Sequence, residues 1–240
     1  ASPSASPSAS PSASPSASPS AGLRPRPPAR PARTFPAPTP LTTAHPSPAT
    51  SRRASPTAGY RPTPLPPGAL TTVLAAACAP FPSDLPGATT ALCLLALRVP
   101  DLPRGAYWYD PAQHTLTTIT THLDAVTTGP LLPNTRLALR GAAAVLIPAG
   151  DPLSGAATFG DRWYRMQQLE TGLRTHRATL AATALGLSAR IHSDGANETT
   201  DEVLGLTGTP LRSLSFLAMG TPPTGGPLVT RPIPAPSTRR

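Results

Sequence analysis

Hydrophobic and polar positions recur with different periods along the chain, and these periods predict its elements. Residues 159–187, FGDRWYRMQQLETGLRTHRATLAATALGL, form the longest stretch without proline. In it Trp163, Met166, Leu169, Leu173, Leu180, Ala184 and Leu187 fall at steps of three, four and seven. That spacing predicts an α-helix about seven turns long, with these side chains on its core face. Asp161 stands at its start, where a carboxylate accepts from free backbone N–H groups. Gly186 stands at its end, where glycine permits a left-handed cap.

Elsewhere the periods are shorter. Residues 88–99 (ATTALCLLALRV) and 141–150 (GAAAVLIPAG) are continuous apolar runs and predict buried strands. In 105–119, GAYWYDPAQHTLTTI, two β-rich runs at 106–109 and 115–119 flank turn chemistry from Asp110 and Pro111 to His114, which predicts a hairpin. A helix is expected after Pro67, with Leu70, Val73, Leu74 and Ala77 on its apolar face and Pro80 and Pro82 ending it. Residues 121–127 and 198–206 read as short helices, 129–136 as a loop, and 188–192 and 211–220 as strands. Strands and helices mix without regular βαβ alternation. The expected class is α+β, a mixed sheet with one long central helix.

Composition divides the chain. Proline makes up 36 of 240 residues and is concentrated before residue 68 and after residue 221. Residues 1–20 are five copies of ASPS, which carry no apolar payload to offset chain entropy. A disordered Pro/Ser/Ala-rich tail is therefore expected over 1–50, a folded domain over 51–222 and a disordered basic tail over 223–240. The net charge of +9 belongs to these tails. Arg24, Arg26, Arg30, Arg33, Arg52, Arg53 and Arg61 precede residue 67 without one acid, whereas residues 67–230 hold ten arginines against eleven acids. A solvated arm explains this better than a nucleic-acid surface, so no nucleic-acid partner is expected.

The chain has no lysine. Schiff-base chemistry, a lysine general base and a P-loop are thereby excluded. Cys78 and Cys93 lie in apolar runs and read as small buried hydrophobes, not metal ligands. No apolar run is long enough to span a bilayer. With no targeting signal visible, the cytoplasm is the expected compartment, with no membrane partner.

The motifs of nucleotide-binding loops, zinc peptidases and serine hydrolases are absent. The five histidines are scattered, and no acid–base pair is identifiable by spacing. Six stretches, however, resemble one family in its order. Residues 105–116, GAYWYDPAQHTL, are similar to the hairpin GLYhYDPxxHxL of SagB-type dehydrogenases, which are nitroreductase-like flavoproteins that oxidise azolines in modified peptides. Residues 52–77 are similar to that family's opening arginine motif, 82–99 to its PSAGALYP strand, 160–172 to its YRy.lLEaG helix, 180–191 to LAAtALGLga, and 201–220 to its final strand.

The resemblance implies a nitroreductase-like fold and an FMN cofactor. It implies a homodimer, or a heterodimer with an intact homologue, and possible peptide substrates and peptide-modifying partner enzymes. Arg52 and Arg53 match the family's flavin-binding arginines, whose planar, permanent charge suits a phosphate or a flavin ring edge. Ser55 and Ser83 match small polar flavin contacts. The departures are specific: Asp84 and Leu85 replace the Ala-Gly of the PSAG loop, Thr158 and Phe159 replace a Lys-Tyr pair, His176 and Arg177 replace Gln-Asn, and Thr221 replaces a late arginine. No catalytic base matches the family; Asp84 and His176 are the remaining candidates. Two readings follow: an FMN-dependent dehydrogenase, or a catalytically degenerate scaffold of the same fold.

Overall fold

The computed structural model describes residues 53–83 and 88–223, together with the short strand Ala32–Thr34. Eight strands form one sheet: β1 (Ala32–Thr34), β2 (Ala91–Ala96), β3 (Gly105–Asp110), β4 (Thr115–Thr120), β5 (Ala144–Gly150), β6 (Ser188–Ile191), β7 (Arg212–Ser213) and β8 (Leu217–Gly220). Their order is β1-β4-β3-β2-β5-β8-β6, with β7 paired to β5. The helices are α1 (Ala69–Cys78), α2 (Asp124–Thr128), α3 (Pro133–Gly141), α4 (Ala156–Phe159), α5 (Arg162–Ala184) and α6 (Glu198–Val203).

Alternation along the strands sorts the core into two layers. Leu92 and Leu94 of β2, Tyr107 and Tyr109 of β3 and Leu146 of β5 face the layer that holds Leu70 and Leu74 of α1 and Ala178 and Ala181 of α5. Cys93, Leu95, Trp108, Val145 and Ile147 face the other, with Val126 of α2, Leu139 of α3 and Val203 of α6. The sheet is thus covered on both sides, which is why β2 and β5 read as continuous apolar runs. Cys93 is fully enclosed; burial first, and the Asp201 charge second, push its thiol up to about 12. Among the described residues no helix is long and apolar enough to cross a membrane.

The hairpin of β3 and β4 forms as expected. Asp110 Oδ1 accepts from the Ala112 amide at 2.8 Å, and His114 takes a left-handed φ of 50°. Helix α1 starts on Gly68, φ 72°, and stops before Pro80. The end of α5 is a Schellman cap: Gly186, φ 75°, donates to Thr183 O at 3.0 Å and Leu187 to Ala182 O at 2.9 Å.

Several expectations are corrected. The sheet is not mixed, since every described pairing is antiparallel. Strands β5 and β6 do run the same way, as a helical crossover requires, but β8 lies between them and pairs antiparallel with both. The expected loop at 129–136 holds only to residue 132; from Pro133 on it is helix, because Pro133 occupies the first turn of α3, where a missing N–H costs nothing. The expected last strand, 211–220, is split into β7 and β8. Its partner Pro148 has no N–H to donate, and only its carbonyl is used, accepting from the Leu214 amide at 2.9 Å. Asp161 stands at the start of α5, but its side chain caps no amide. Strand β1 pairs with β4, whose exposed edge accepts a strand whatever its side chains.

The largest correction concerns the face of α5. Leu169 is 75% exposed, while Gln167, Glu170, Thr171, Arg174, Thr175 and Thr179 are buried. Of the residues expected on the core face, Trp163 and Leu187 are buried, Met166, Leu173 and Leu180 are half-buried, and Ala184 is exposed.

Candidate functional site

The segment after Arg53 is tied to the C-terminal end of the sheet. Tyr60 Oη donates to Ala218 O at 2.7 Å, Arg61 N donates to Thr221 O at 3.0 Å, and the Thr63 and Thr221 hydroxyls meet at 2.7 Å. A Cβ on Gly141 would collide with the Tyr60 carbonyl, so the close passage requires glycine there. Thr221, at the position of the family's late arginine, is thus used to anchor this segment.

The anchoring brings Arg53 and Ser55 beside α5 and β6. They line a cleft of about 530 Å³ together with Gly172, His176, Thr179 and Arg190, among others. Arg53 Nη1 donates to Ser55 Oγ at 3.3 Å, and Arg190 Nη1 donates to Pro56 O at 3.3 Å. Among the described residues the ion pairs are Arg104–Asp124, Arg174–Glu170 and Arg212–Asp201. Neither Arg53 nor Arg190 therefore has a carboxylate partner there. Thr175 and Thr179 return their hydroxyl hydrogens to helix carbonyls, at 3.0 Å to Thr171 O and 2.7 Å to Thr175 O. They offer the cleft methyl groups and lone pairs, so the side-chain donors are Ser55, Thr57, His176 and the two guanidinium groups.

Of the expected site residues, Arg53, Ser55 and His176 meet in this cleft. Arg52 and Asp84 lie outside the described residues. Ser83 is exposed beyond the end of α1 and does not line the cleft. Arg177 is turned the other way: its Nη1 donates to Ala79 O at 2.5 Å, and it lies over the Phe81 ring at 5.5 Å. Thr158 is exposed, and Phe159 stacks on Trp163 with ring centroids 5.7 Å apart. Arg190 escaped the sequence reading, because a lone arginine in a short strand carries no local signal.

Behind the cleft, α5 is locked to β2 by a buried polar cluster. Glu170 Oε2 accepts from the Thr89 amide and hydroxyl, both at 2.7 Å. Its Oε1 accepts from the Thr90 amide at 3.2 Å, the Thr90 hydroxyl at 2.8 Å and Arg174 Nε and Nη2, each at 2.9 Å. Burial alone would raise the Glu170 pKa; the Thr89 hydroxyl, Arg174, the Thr89 amide and the Thr90 hydroxyl more than offset it, and the carboxyl is held below its ordinary value. Arg174 Nη1 also donates to Cys78 Sγ at 3.0 Å. Gln167 Nε2 donates to Thr89 O and Asp151 O, each at 3.2 Å. On the other layer, Thr135 Oγ1 joins His192 Nδ1 at 2.9 Å and Asp194 Oδ1 at 2.6 Å. Burial, then the nearby Arg190 charge, lowers the His192 pKa against the opposing pull of Asp194.

A larger cleft, about 700 Å³, opens on the opposite face of the sheet, lined by Trp108, Ile119, Asp124, Glu202 and Leu206 among others. No expected site residue lines it. Its two carboxylates repel a phosphate, whereas the smaller cleft is lined by two guanidinium groups.

No protein-family profile matches the chain, and no curated protein matches its sequence. Solved structures match its fold. A protein from Anabaena variabilis assigned as a nitroreductase aligns with a TM-score of 0.64 and 24% identity over 74% of this chain; the chain spans 38% of that protein's length. A second such protein, from Ralstonia eutropha, has a TM-score of 0.64 and 17% identity over 81% of this chain and 90% of its own. The Escherichia coli microcin synthetase McbBCD complex with truncated pro-MccB17 bound contains a chain that aligns with a TM-score of 0.61 and 19% identity, over 70% of this chain and 68% of that one. The chain has the nitroreductase fold, in a form far diverged in sequence.

Proposed function

We propose that the protein is an FMN-binding oxidoreductase of the nitroreductase fold, with the phosphate end of the flavin held in the smaller cleft. The observation that carries this reading is the convergence of Arg53, Ser55 and Arg190 on one cleft, with neither guanidinium neutralised by a carboxylate among the described residues. That donor set fits a dianionic phosphate: two permanent charges supply the attraction, and the Ser55 hydroxyl supplies a directed donor. Gly172 adds open space, since a Cβ there would meet nothing within 4 Å. Arg52 is proposed as a further flavin contact on the resemblance alone.

When bound, the flavin supplies the hydride or electron chemistry. The chain's own residues bind and orient it. His176 is the imidazole that lines the cleft and the candidate proton carrier. The substrate class is an azoline-bearing peptide. The motif stretches support this, as does the fold shared with a chain of the McbBCD complex, in which pro-MccB17 is bound. A second copy, or an intact homologue, pairs along the outer face of α5, where Leu169 is 75% and Tyr164 50% exposed.

One observation favours the rival reading of a degenerate scaffold. Where the family carries Lys-Tyr, Thr158 is exposed and Phe159 is committed to a stack on Trp163, so neither side chain can relay a proton.

Titration of the apo-protein with FMN, followed by flavin fluorescence, tests the reading. The wild type binds, and Arg53→Ala with Arg190→Ala weakens binding at least tenfold, about 1.4 kcal/mol, with an unchanged circular dichroism spectrum. Binding with turnover of a peptide azoline supports the dehydrogenase. Binding without turnover supports the scaffold. No binding at saturating FMN overturns the flavin site itself.

A further inference from the structure

The buried cluster of Asp194, Thr135 and His192 has no part in the flavin reading. It joins α3 to the turn that follows β6. Asp194 Oδ2 accepts from the Leu132 amide at the start of α3, at 2.8 Å, and its Oδ1 accepts from the Thr135 hydroxyl at 2.6 Å. The one hydroxyl hydrogen of Thr135 is committed there, so Thr135 Oγ1 accepts from His192 Nδ1, 2.9 Å away. The neutral imidazole is thereby fixed as the Nδ1–H tautomer, with its lone pair on Nε2. His192 is 5% and Thr135 1% exposed, and Nε2 is buried with no partner among the described residues.

The elements around the ring hold it in place. The His192 amide donates to Phe216 O at 2.8 Å, and a Cβ on Gly195 would fall 2.3 Å from the Phe216 ring, so the turn packs on the sheet without slack. The charged groups that act on the imidazole are Arg190, two residues earlier in β6, and Asp194. Thr135 and Phe216, which meet it from α3 and from the approach to β8, carry no charge. The charged side chains of α3 are exposed, and Arg136 Nη2 is engaged with the Gly129 and Leu131 carbonyls. Helix α6 reaches the turn through Thr200 Oγ1, which donates to Gly195 O at 2.6 Å; its Asp201 accepts from the Ser213 amide, and Glu198 and Glu202 are exposed. A proton taken up by the folded imidazole therefore goes to Nε2, where it meets no acceptor and adds a buried cation. Burial, with Arg190 second, accordingly holds the His192 pKa below its ordinary value against the pull of Asp194.

We propose that His192, Thr135 and Asp194 form an acid-released latch between α3 and the end of β6. Above the unfolded pKa of histidine, about 6.5, the latch contributes its full stability. Below that pH the opened form takes up a proton that the closed form refuses. Opening then becomes easier by up to about tenfold per pH unit, until the lowered pKa of the closed form is reached. Release loosens the strand end two residues beyond Arg190, which lines the smaller cleft. The inference does not depend on the flavin reading.

Hydrogen exchange of the full-length protein, read by mass spectrometry at about pH 7.5 and about pH 5.5, either side of the free histidine value, tests it. Rates are divided by the intrinsic exchange rate at each pH. Corrected exchange over 132–141 and 188–195 should be about three- to tenfold faster at the lower pH, relative to β2 and β5. His192→Asn, whose amide can donate to Thr135 but cannot titrate, should abolish the acceleration. No acceleration beyond that of β2 and β5 overturns the proposal, and so does one that survives in His192→Asn. Should that variant fail to fold, nitrogen NMR of the wild type with isotope-labelled histidine gives the second reading. His192 should show the Nδ1–H tautomer at the higher pH and should protonate only below the free histidine value. An Nε2–H tautomer, or protonation at the free value in the folded chain, overturns the latch.

Discussion

Helix α5 turns Gln167, Glu170, Arg174, Thr175 and Thr179 toward the sheet, and turns Leu169, with half of Met166, Leu173 and Leu180, toward solvent. Around Glu170 this inverts the usual amphipathic helix, whereas further along Ala178, Ala181 and Ala182 are buried in the ordinary way. The buried face is tolerated because its charged groups are met, although Gln167 Oε1 and Thr171 Oγ1 find no partner among the described residues. Six donor contacts converge on the Glu170 carboxylate, and Thr175 and Thr179 satisfy themselves on the carbonyls one turn back. The outer face needs no such help; it remains available to a partner. Burial along this helix follows hydrogen-bond satisfaction first and hydropathy second.

Breaking the inner face has the largest expected effect. Glu170→Gln replaces a charged acceptor with an amide that faces Arg174 and four threonine donors. It should lower unfolding stability by about 3–5 kcal/mol, because a buried guanidinium is left without its partner. Urea unfolding measures this; a loss below about 1 kcal/mol would show that the cluster is incidental to the fold.

Acid sharpens the same point. The Glu170 carboxyl is held below its usual value near 4.5 in the folded state. A group depressed on folding contributes stability that is complete above its unfolded pKa and is lost as pH falls through the folded one. The stability gap between wild type and Glu170→Gln should therefore be constant near neutrality and narrow below about pH 4.5. A gap that widens on acidification would contradict the assigned direction.

The outer face should give the smallest effect on folding. Leu169→Ser should change unfolding stability of the monomer by no more than about 0.5 kcal/mol, since an exposed side chain leaves no cavity. Sedimentation of the same variant should show weaker self-association than the wild type. Destabilisation by several kcal/mol would place Leu169 in a core after all.

Some of this was legible in the sequence. Strands β2 and β5 announce themselves as apolar runs, the hairpin by Asp110 and Pro111, and the end of α5 by Gly186. In each case the determinant is local: a strand buried on both faces must be apolar throughout, and a left-handed cap needs glycine. The length of α5 was legible for the same reason, its proline-free run. Its orientation was not. The apolar stripe through Leu169 and Leu173 is as regular as any core face, and only the arrival of Thr89 and Thr90 from the approach to β2 makes the opposite stripe buriable. The pairing of Arg53 with Arg190 was equally hidden. Two arginines far apart in sequence come to line one cleft only when β6 and the segment anchored by Tyr60 are folded against the same helix. Local backbone preference is written in neighbouring residues. Burial of charge depends on which donors the rest of the chain delivers, and that is decided in three dimensions.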